Sequence, residues 1–90
     1  MAVVLIPSIL LEHTQYQERL SFTGDSLLAV MTNLTKKHPG LSPYIFDQSG
    51  NFCNFISMYL NNKDVRFLQG KNTSTHEEDV LTIVPALAGG

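Results

Sequence analysis

The sequence predicts a small α+β domain in which one main helix packs across a sheet of four to five strands. Residues 27–34 repeat apolar side chains at helical spacing. Short apolar or alternating segments lie on both sides of this helix, as is typical of strands. Ninety residues are enough for one core of this kind, in which a helix stripe and a sheet face bury each other.

Two strand candidates begin the chain. Residues 3–6 are a short apolar run, rich in β-branched side chains, that stops at Pro7, which is typical of a buried strand. Residues 18–23 alternate polar and apolar side chains and stop at Gly24. The residues between them show no regular pattern, so we expect a hairpin with a long loop.

The helix is predicted to begin after Asp25 and to end before Pro39. Asp25 or Ser26 can cap its first turn, and the basic residues 36–38 suit the negative end of the helix dipole. Its apolar stripe consists of Leu27, Val30, Met31 and Leu34. A stripe of leucine, valine and methionine at this spacing packs into a core, so we do not interpret it as a cofactor site.

Residues 41–60 contain a short helical turn, a loop and a strand. Pro43 lies near the start of the apolar run 41–46, where proline suits the first turn of a helix. Residues 47–51 have the composition of a loop. Alternation returns over residues 55–60 and predicts a strand.

The remaining strands follow a predicted turn at residues 61–64. Two adjacent asparagines, Asn61 and Asn62, favour this turn because asparagine tolerates a positive φ better than most residues do. Residues 65–67 are predicted to pair back as a short strand. The apolar run 80–84 is predicted to be the last strand.

The last strand predicts a surface as well as a core. If Leu81 and Ile83 face the helix, then Thr82 and Val84 face solvent, because successive side chains point to opposite faces of a sheet. We therefore predict that Thr82 and Val84 belong to a docking surface beside the C-terminus.

Composition excludes several classes of function. The net charge of −2 offers no electrostatic basis for holding nucleic acid, and no apolar run approaches the roughly 20 residues that span a bilayer. Residues 1–6 lack a basic leader and a cleavage site. The single cysteine, Cys53, rules out an internal disulfide. We expect a soluble, cytoplasmic protein that binds neither nucleic acid nor membrane.

No set of residues has the pattern of a catalytic or metal site. Cys53 has no neighbouring cation or base in the sequence that would lower its pKa. His13, His38 and His76 show no metal-ligand spacing, so surface or capping roles are predicted for them. The acidic run 77–79 is typical of a solvated turn. We therefore predict a protein that is not an enzyme and binds no metal or cofactor itself.

The chain ends in a small, uncharged segment. Its residues are Pro85, Ala86, Leu87, Ala88, Gly89 and Gly90. Proline ends a strand readily, and glycine has no Cβ to obstruct entry into a narrow channel. Fully extended, six residues reach roughly 20 Å at about 3.3 to 3.6 Å each. We therefore divide the chain into a folded domain, residues 1–84, and a flexible tail, residues 85–90, which can present the Gly90 carboxylate to another protein.

Four segments carry a resemblance to a known family. They are residues 4–10, 24–27, 59–67 and 80–90. With them the chain resembles the ubiquitin-like sulfur carriers, which have the β-grasp fold and include the molybdopterin synthase small subunit and the thiamine-pathway carrier. The resemblance is greatest to the cysteine-biosynthesis branch, although Ser57 stands where that branch commonly has asparagine. It implies a mixed sheet with the first and last strands parallel at its centre.

The resemblance also implies a chemistry and a set of partners. An E1-like enzyme would adenylate the Gly90 carboxylate with ATP, and sulfur would then displace AMP to leave a thiocarboxylate. In the cysteine branch, a cysteine synthase dependent on pyridoxal phosphate would accept the sulfur, and a zinc peptidase of the JAMM type would release the product. ATP, pyridoxal phosphate and zinc would all belong to the partners. In this picture residues 85–89 are recognised by the partner's channel.

Two alternatives stay open at this point. The chain could serve as the molybdopterin synthase small subunit or the thiamine-pathway carrier, which use the same thiocarboxylate with a different acceptor. It could instead be a ubiquitin-like modifier or binding module, whose Gly-Gly end forms an isopeptide bond or has no chemical role.

Overall fold

A mixed five-stranded sheet organises residues 1–85, which are the residues that the structure, a computed structural model, describes. Its spatial order is β2-β1-β5-β3-β4. The strands are β1 (Ala2–Leu5), β2 (Arg19–Phe22), β3 (Ile56–Leu60), β4 (Lys63–Asp64) and β5 (Val80–Pro85). β5 pairs in parallel with β1 and antiparallel with β3, so the predicted α+β class and the parallel pairing of first and last strands are both confirmed.

The main helix, α1 (Leu27–Lys37), lies where the apolar spacing predicts it. Ser26 is the N-cap, and its hydroxyl accepts a hydrogen bond from the Ala29 amide at 3.2 Å. Gly24 precedes the cap closely enough that a Cβ there would lie 2.8 Å from the Val30 nitrogen. A larger residue at position 24 would therefore push β2 away from the start of the helix.

Short helical segments fill the connections. The helix α2 (Ser42–Ile45) confirms the predicted turn near Pro43. Within the described residues, four 3-10 helices accompany it, at Ser8–Thr14, Pro39–Leu41, Val65–Phe67 and Gly70–Asn72. The first of these replaces the irregular loop predicted between β1 and β2. No helix within residues 1–85 combines the length and apolarity needed to cross a membrane.

The prediction of a strand at residues 65–67 is wrong. The β3–β4 hairpin turns at Asn61 and Asn62, which have φ of 50° and 74° as expected, but β4 then ends at Asp64. The Asp64 carboxylate accepts a hydrogen bond from the Arg66 amide at 2.9 Å and so caps a 3-10 helix. Local capping therefore prevails over the β propensity of the segment.

β5 extends one residue further than predicted and includes Pro85, opposite Ile56. The Asn61 amide donates to the Val80 carbonyl, so the backbone polar groups of Val80 and of every second residue after it in β5 point toward β3. The nitrogen of Pro85 consequently points away from β3. Proline is tolerated here because β3 requires no donor at that position.

The core lies between the sheet and α1. The stripe Leu27, Val30, Met31 and Leu34 is completely buried, as are Val4 and Leu81. Ile83 is 2% exposed, which confirms that Leu81 and Ile83 face inward. The remaining core residues come from the inward faces of the strands and from the short helices.

Truncation of Leu34 should test this packing. Because Leu34 is fully buried, Leu34→Ala should lower the free energy of unfolding by about 2 to 5 kcal/mol. Lys36→Ala, at an exposed position of the same helix, is the control and should change it by less than about 0.5 kcal/mol. Urea denaturation followed by circular dichroism measures both, and equal effects would contradict the assignment of Leu34 to the core.

Candidate functional site

The C-terminal tail continues directly from the central strand of the sheet. β5 has a neighbour on each side, with Leu81 opposite Val4 of β1 and Ile83 opposite Met58 of β3. A strand paired on both sides and buried on one face is held firmly in position. The predicted tail residues Ala86, Leu87, Ala88, Gly89 and Gly90 lie outside the described residues, whereas Pro85 ends the described part of the chain within β5.

The face of the sheet away from α1 carries the predicted docking residues. Val84 is 41% exposed and Thr82 is partly buried, so both lie on the outer face as predicted. In the antiparallel register Thr82 is opposite Tyr59, and Val84 is opposite Ser57. On the parallel side Thr82 is opposite Leu5. Cross-strand neighbours of this kind share one face, so these residues form a continuous, uncharged surface that ends where the tail begins.

An ion pair borders this face at the β4 edge. Arg66 donates from Nη2 to Asp64 Oδ2 at 2.6 Å and from Nε to Oδ1 at 3.1 Å. The Asp64 side chain is 8% exposed, whereas that of Arg66 is 70% exposed. The hydrogen bonds from Arg66 lower the pKa of Asp64, and the carboxylate raises the pKa of Arg66 in return. In the sequence, this clamp is indicated only by two opposite charges spaced two residues apart.

Asp79 has a structural role, in hydrogen bonds that its sequence context does not indicate. The predicted solvated run 77–79 includes this residue, but its carboxylate accepts hydrogen bonds from Asn61 Nδ2 at 2.9 Å and from the His76 amide at 2.8 Å. The bond from Asn61 is the main reason that the pKa of Asp79 is lowered. The Asn61 side-chain oxygen accepts in turn from the Val80 amide at 2.9 Å. Together these contacts join the hairpin turn to the start of β5.

Cys53 is a buried structural thiol. It is 7% exposed, and its Sγ donates to the Pro43 carbonyl at 3.6 Å. Burial, and to a smaller extent the charge of Asp47, raises the pKa of Cys53. A raised pKa keeps the thiol protonated at neutral pH, and a protonated thiol is a poor nucleophile. The interpretation of Cys53 as non-catalytic is therefore supported by its surroundings.

The three histidines lie in separate places. His13 stacks on Tyr44 with ring centroids 5.0 Å apart, and His76 lies 3.6 Å from the Asp79 carboxylate. His38 is 7% exposed and caps the C-terminus of α1 through its amide, which is the capping role expected for it rather than a surface one. Across residues 1–85 no three His, Cys, Asp or Glu side chains gather closely enough to hold a metal ion.

Comparison with protein families and curated sequences gives a consistent result. The model of the ThiS family matches residues 4–90 of this chain. The sulfur carrier protein CysO of Mycobacterium tuberculosis is 42% identical over 89 residues, which cover 97% of this chain and 96% of that protein. The chain is thus similar to that carrier over nearly its whole length.

Solved structures agree with this similarity. The crystal structure of Mycobacterium tuberculosis CysO matches with a TM-score of 0.89 and 38% identity, covering 97% of this chain and all of that one. The CysO complex with BexX from Amycolatopsis orientalis contains a chain that matches with a TM-score of 0.92 and 32% identity over the full length of both chains. Small archaeal modifier protein 1 of Methanosarcina acetivorans matches with a TM-score of 0.88 and 26% identity, covering 99% and 95% of the two chains. The β-grasp fold implied by the resemblance is confirmed.

The Asp64–Arg66 clamp predicts how stability depends on pH. A carboxylate whose pKa is lower in the folded state stabilises the fold fully above its unfolded pKa, about 3.9, and loses that contribution as the pH falls through the folded pKa. Asp64→Asn should therefore be less stable than wild type at pH 7, and the difference should shrink below about pH 4.

Urea unfolding at a series of pH values measures this effect. Arg66→Gln removes the partner that lowers the pKa of Asp64, so its stability should also decline less steeply in acid than that of wild type. Curves for wild type and both variants that stay parallel throughout would contradict the stabilising role of the clamp.

Proposed function

Since this chain belongs to the ThiS family, we propose that it is a sulfur carrier whose C-terminal Gly90 holds the sulfur as a thiocarboxylate. In this role the chain is a co-substrate of partner enzymes and not an enzyme. The observation that carries the proposal is the continuation of the last residues from β5, the central strand of the sheet. The folded body supplies a fixed base and a docking face, and the terminus supplies the reacting carbon.

The geometry supports delivery of the carboxylate to a site outside the body. Pro85 is held opposite Ile56, and residues 86–90 follow it. Five residues can reach at most about 18 Å when fully extended. That length allows the Gly90 carboxylate to enter the active site of a partner that rests against the outer face of β5.

The proposed loading proceeds in two displacements. A Gly90 carboxylate oxygen attacks the α-phosphate of ATP on an activating enzyme and releases pyrophosphate, which forms an acyl adenylate. Sulfide then attacks the carbonyl carbon and expels AMP, which is a far better leaving group than oxide. The resulting thiocarboxylate shares its charge between oxygen and sulfur. It is therefore an anionic nucleophile at neutral pH and needs no general base from this chain.

We assign the sulfur to cysteine biosynthesis because CysO is among the curated proteins to which this chain is similar, at 42% identity. In this assignment a cysteine synthase that depends on pyridoxal phosphate would hold the acceptor of the sulfur, which would leave cysteine attached to Gly90. A zinc peptidase of the JAMM type would hydrolyse that bond and release cysteine. ATP, pyridoxal phosphate and zinc belong to these partners. Docking places the nucleophile beside its target, and well-oriented proximity can lower a barrier by about 7 to 11 kcal/mol in the best cases.

A modifier role is the second candidate function. It is favoured by the similarity to small archaeal modifier protein 1, at a TM-score of 0.88 and 26% identity. In that case Gly90 would form an isopeptide bond with lysine side chains of other proteins. Digestion of cell extracts would then release lysine peptides that carry the C-terminal residues of this chain. A carrier confined to sulfur transfer would leave no such peptides.

Intact-mass spectrometry tests the loading step. Incubation with an activating enzyme, ATP and sulfide should increase the mass of the chain by one oxygen-to-sulfur exchange. Omission of ATP should abolish the change, because an unactivated carboxylate has no adequate leaving group. An unchanged mass with an enzyme that loads another carrier of this family would contradict the proposal.

Changes in the tail test where the reaction occurs. Gly89→Val should slow loading by crowding the partner's channel, while leaving the melting temperature within about 2 °C of wild type. One alanine appended after Gly90 should abolish loading, because the new terminal carboxylate lies one residue beyond the position that the Gly90 carboxylate occupies in the chain. Normal loading of the extended chain would show that the terminal carboxylate of Gly90 is not the reacting group.

A further inference from the structure

Phe67 is the most exposed large apolar side chain among residues 1–85, with 85% of its surface accessible. Its neighbour Leu68 is 40% exposed. The same 3-10 helix buries Val65 in the core at 4% exposure, and Asp64 caps its start. The backbone before Phe67 is therefore held in place, and the ring is presented to solvent by a fixed turn. Exposed aromatic side chains of this kind are enriched at protein interfaces.

Basic residues flank Phe67 in the sequence. Residues 52–75 contain three of them, Lys63, Arg66 and Lys71, and a single acidic residue, Asp64, although the whole chain has a net charge of −2. Lys63, Arg66 and Lys71 are exposed, whereas Asp64 is buried beneath Arg66. We call Phe67, Leu68 and these three basic residues the β4-edge patch. Because Arg66 is paired with Asp64, the net positive charge at the rim of this patch comes from Lys63 and Lys71.

The β4-edge patch is connected to the end of β5. A cleft of about 240 Å³ runs along the outer edge of β3, and its lining includes Arg66, Val65, Met58 and Ile56. Ile56 is the cross-strand neighbour of Pro85, the last described residue. Through Arg66, the β4-edge patch therefore borders a cleft that reaches the end of the sheet from which the tail departs.

We propose that the β4-edge patch is a second docking surface for the enzyme that activates Gly90. In the complex, Phe67 inserts into an apolar recess of that enzyme, and carboxylates line the edge of the recess. This inference rests on the proposed function and adds a residue-level determinant of partner choice. Activation is common to every acceptor considered, so the patch is assigned to that step. Its basic rim selects a partner whose contact surface is acidic.

A second copy of this chain is a less suitable occupant of the patch. A two-fold contact centred on this patch would bring its basic side chains close to the basic side chains of the other copy. Juxtaposed like charges oppose association. An acidic recess on a different protein satisfies both the charge and the apolar ring.

Steady-state adenylation tests the inference. ATP–pyrophosphate exchange by the activating enzyme is measured against carrier concentration for wild type, Phe67→Ala and Tyr16→Ala. Tyr16 is a matched control because it is 73% exposed and precedes β2, at the opposite edge of the sheet. Phe67→Ala should raise KM by about tenfold with kcat within about twofold of wild type, and Tyr16→Ala should change neither.

Charge reversal tests the rim in the same assay. Lys63→Glu should raise KM by about fivefold, and the increase should diminish as salt is added, because salt screens exposed charges. Lys36→Glu, which carries the same change on the exposed side of α1, should leave KM unchanged. Equal effects of the two reversals would show that only net charge matters and would overturn the assignment of the rim.

The outcomes separate this inference from the proposed function. An enzyme that fails to adenylate wild type contradicts the proposed function, and the inference then falls with it. An enzyme that adenylates wild type and Phe67→Ala with the same KM overturns the inference alone. Sedimentation analysis of the free carrier tests whether the patch binds a second copy instead. If the wild-type carrier is a dimer and Phe67→Ala is a monomer, the patch is a dimer interface and the inference is overturned.

Discussion

The two-sided pairing of β5 is the constraint on which the rest of the structure depends. Hydrogen bonding to β1 on one side and β3 on the other joins the N-terminal and C-terminal halves of the chain in one sheet. Residue alternation then sends Leu81 and Ile83 into the core and leaves Thr82 and Val84 outside. The last residues of the chain follow a strand that cannot shift register without exposing its core side chains. The body thereby fixes the position from which the terminus departs.

Parts of this arrangement are predictable from sequence because they depend on local pattern. Apolar spacing identifies α1, and two asparagines identify the β3–β4 turn, since both signals lie within a few residues of the element that they specify. Which strands are neighbours in the sheet is not local. The parallel pairing of β1 with β5 places Val3 opposite Val80, which is 77 residues further along the chain, and only the family resemblance predicted it.

The failures also have physical causes. Residues 65–67 have strand-like composition, but the Asp64 carboxylate satisfies the Arg66 amide and starts a 3-10 helix in its place. Asp79 belongs to an acidic run that suggests solvent exposure, yet its partner Asn61 is 18 residues away in sequence. A side-chain hydrogen bond between distant residues leaves no periodic signal. Phe67 belongs to this segment, and its exposure follows from the 3-10 helix that forms in place of the predicted strand. Sequence patterns alone therefore could not locate the β4-edge patch.

The environment of Cys53 is consistent with a body that takes no part in the chemistry of its own terminus. An acyl adenylate is an electrophile, and a reactive thiolate on the carrier would compete with the sulfur nucleophile for it. Burial and the nearby charge of Asp47 raise the pKa of Cys53, and its Sγ is directed at the Pro43 carbonyl. The thiol is thus both protonated and inaccessible. A carrier of the proposed kind requires an unreactive thiol because it must accept sulfur at one atom, the carbonyl carbon of Gly90, and nowhere else.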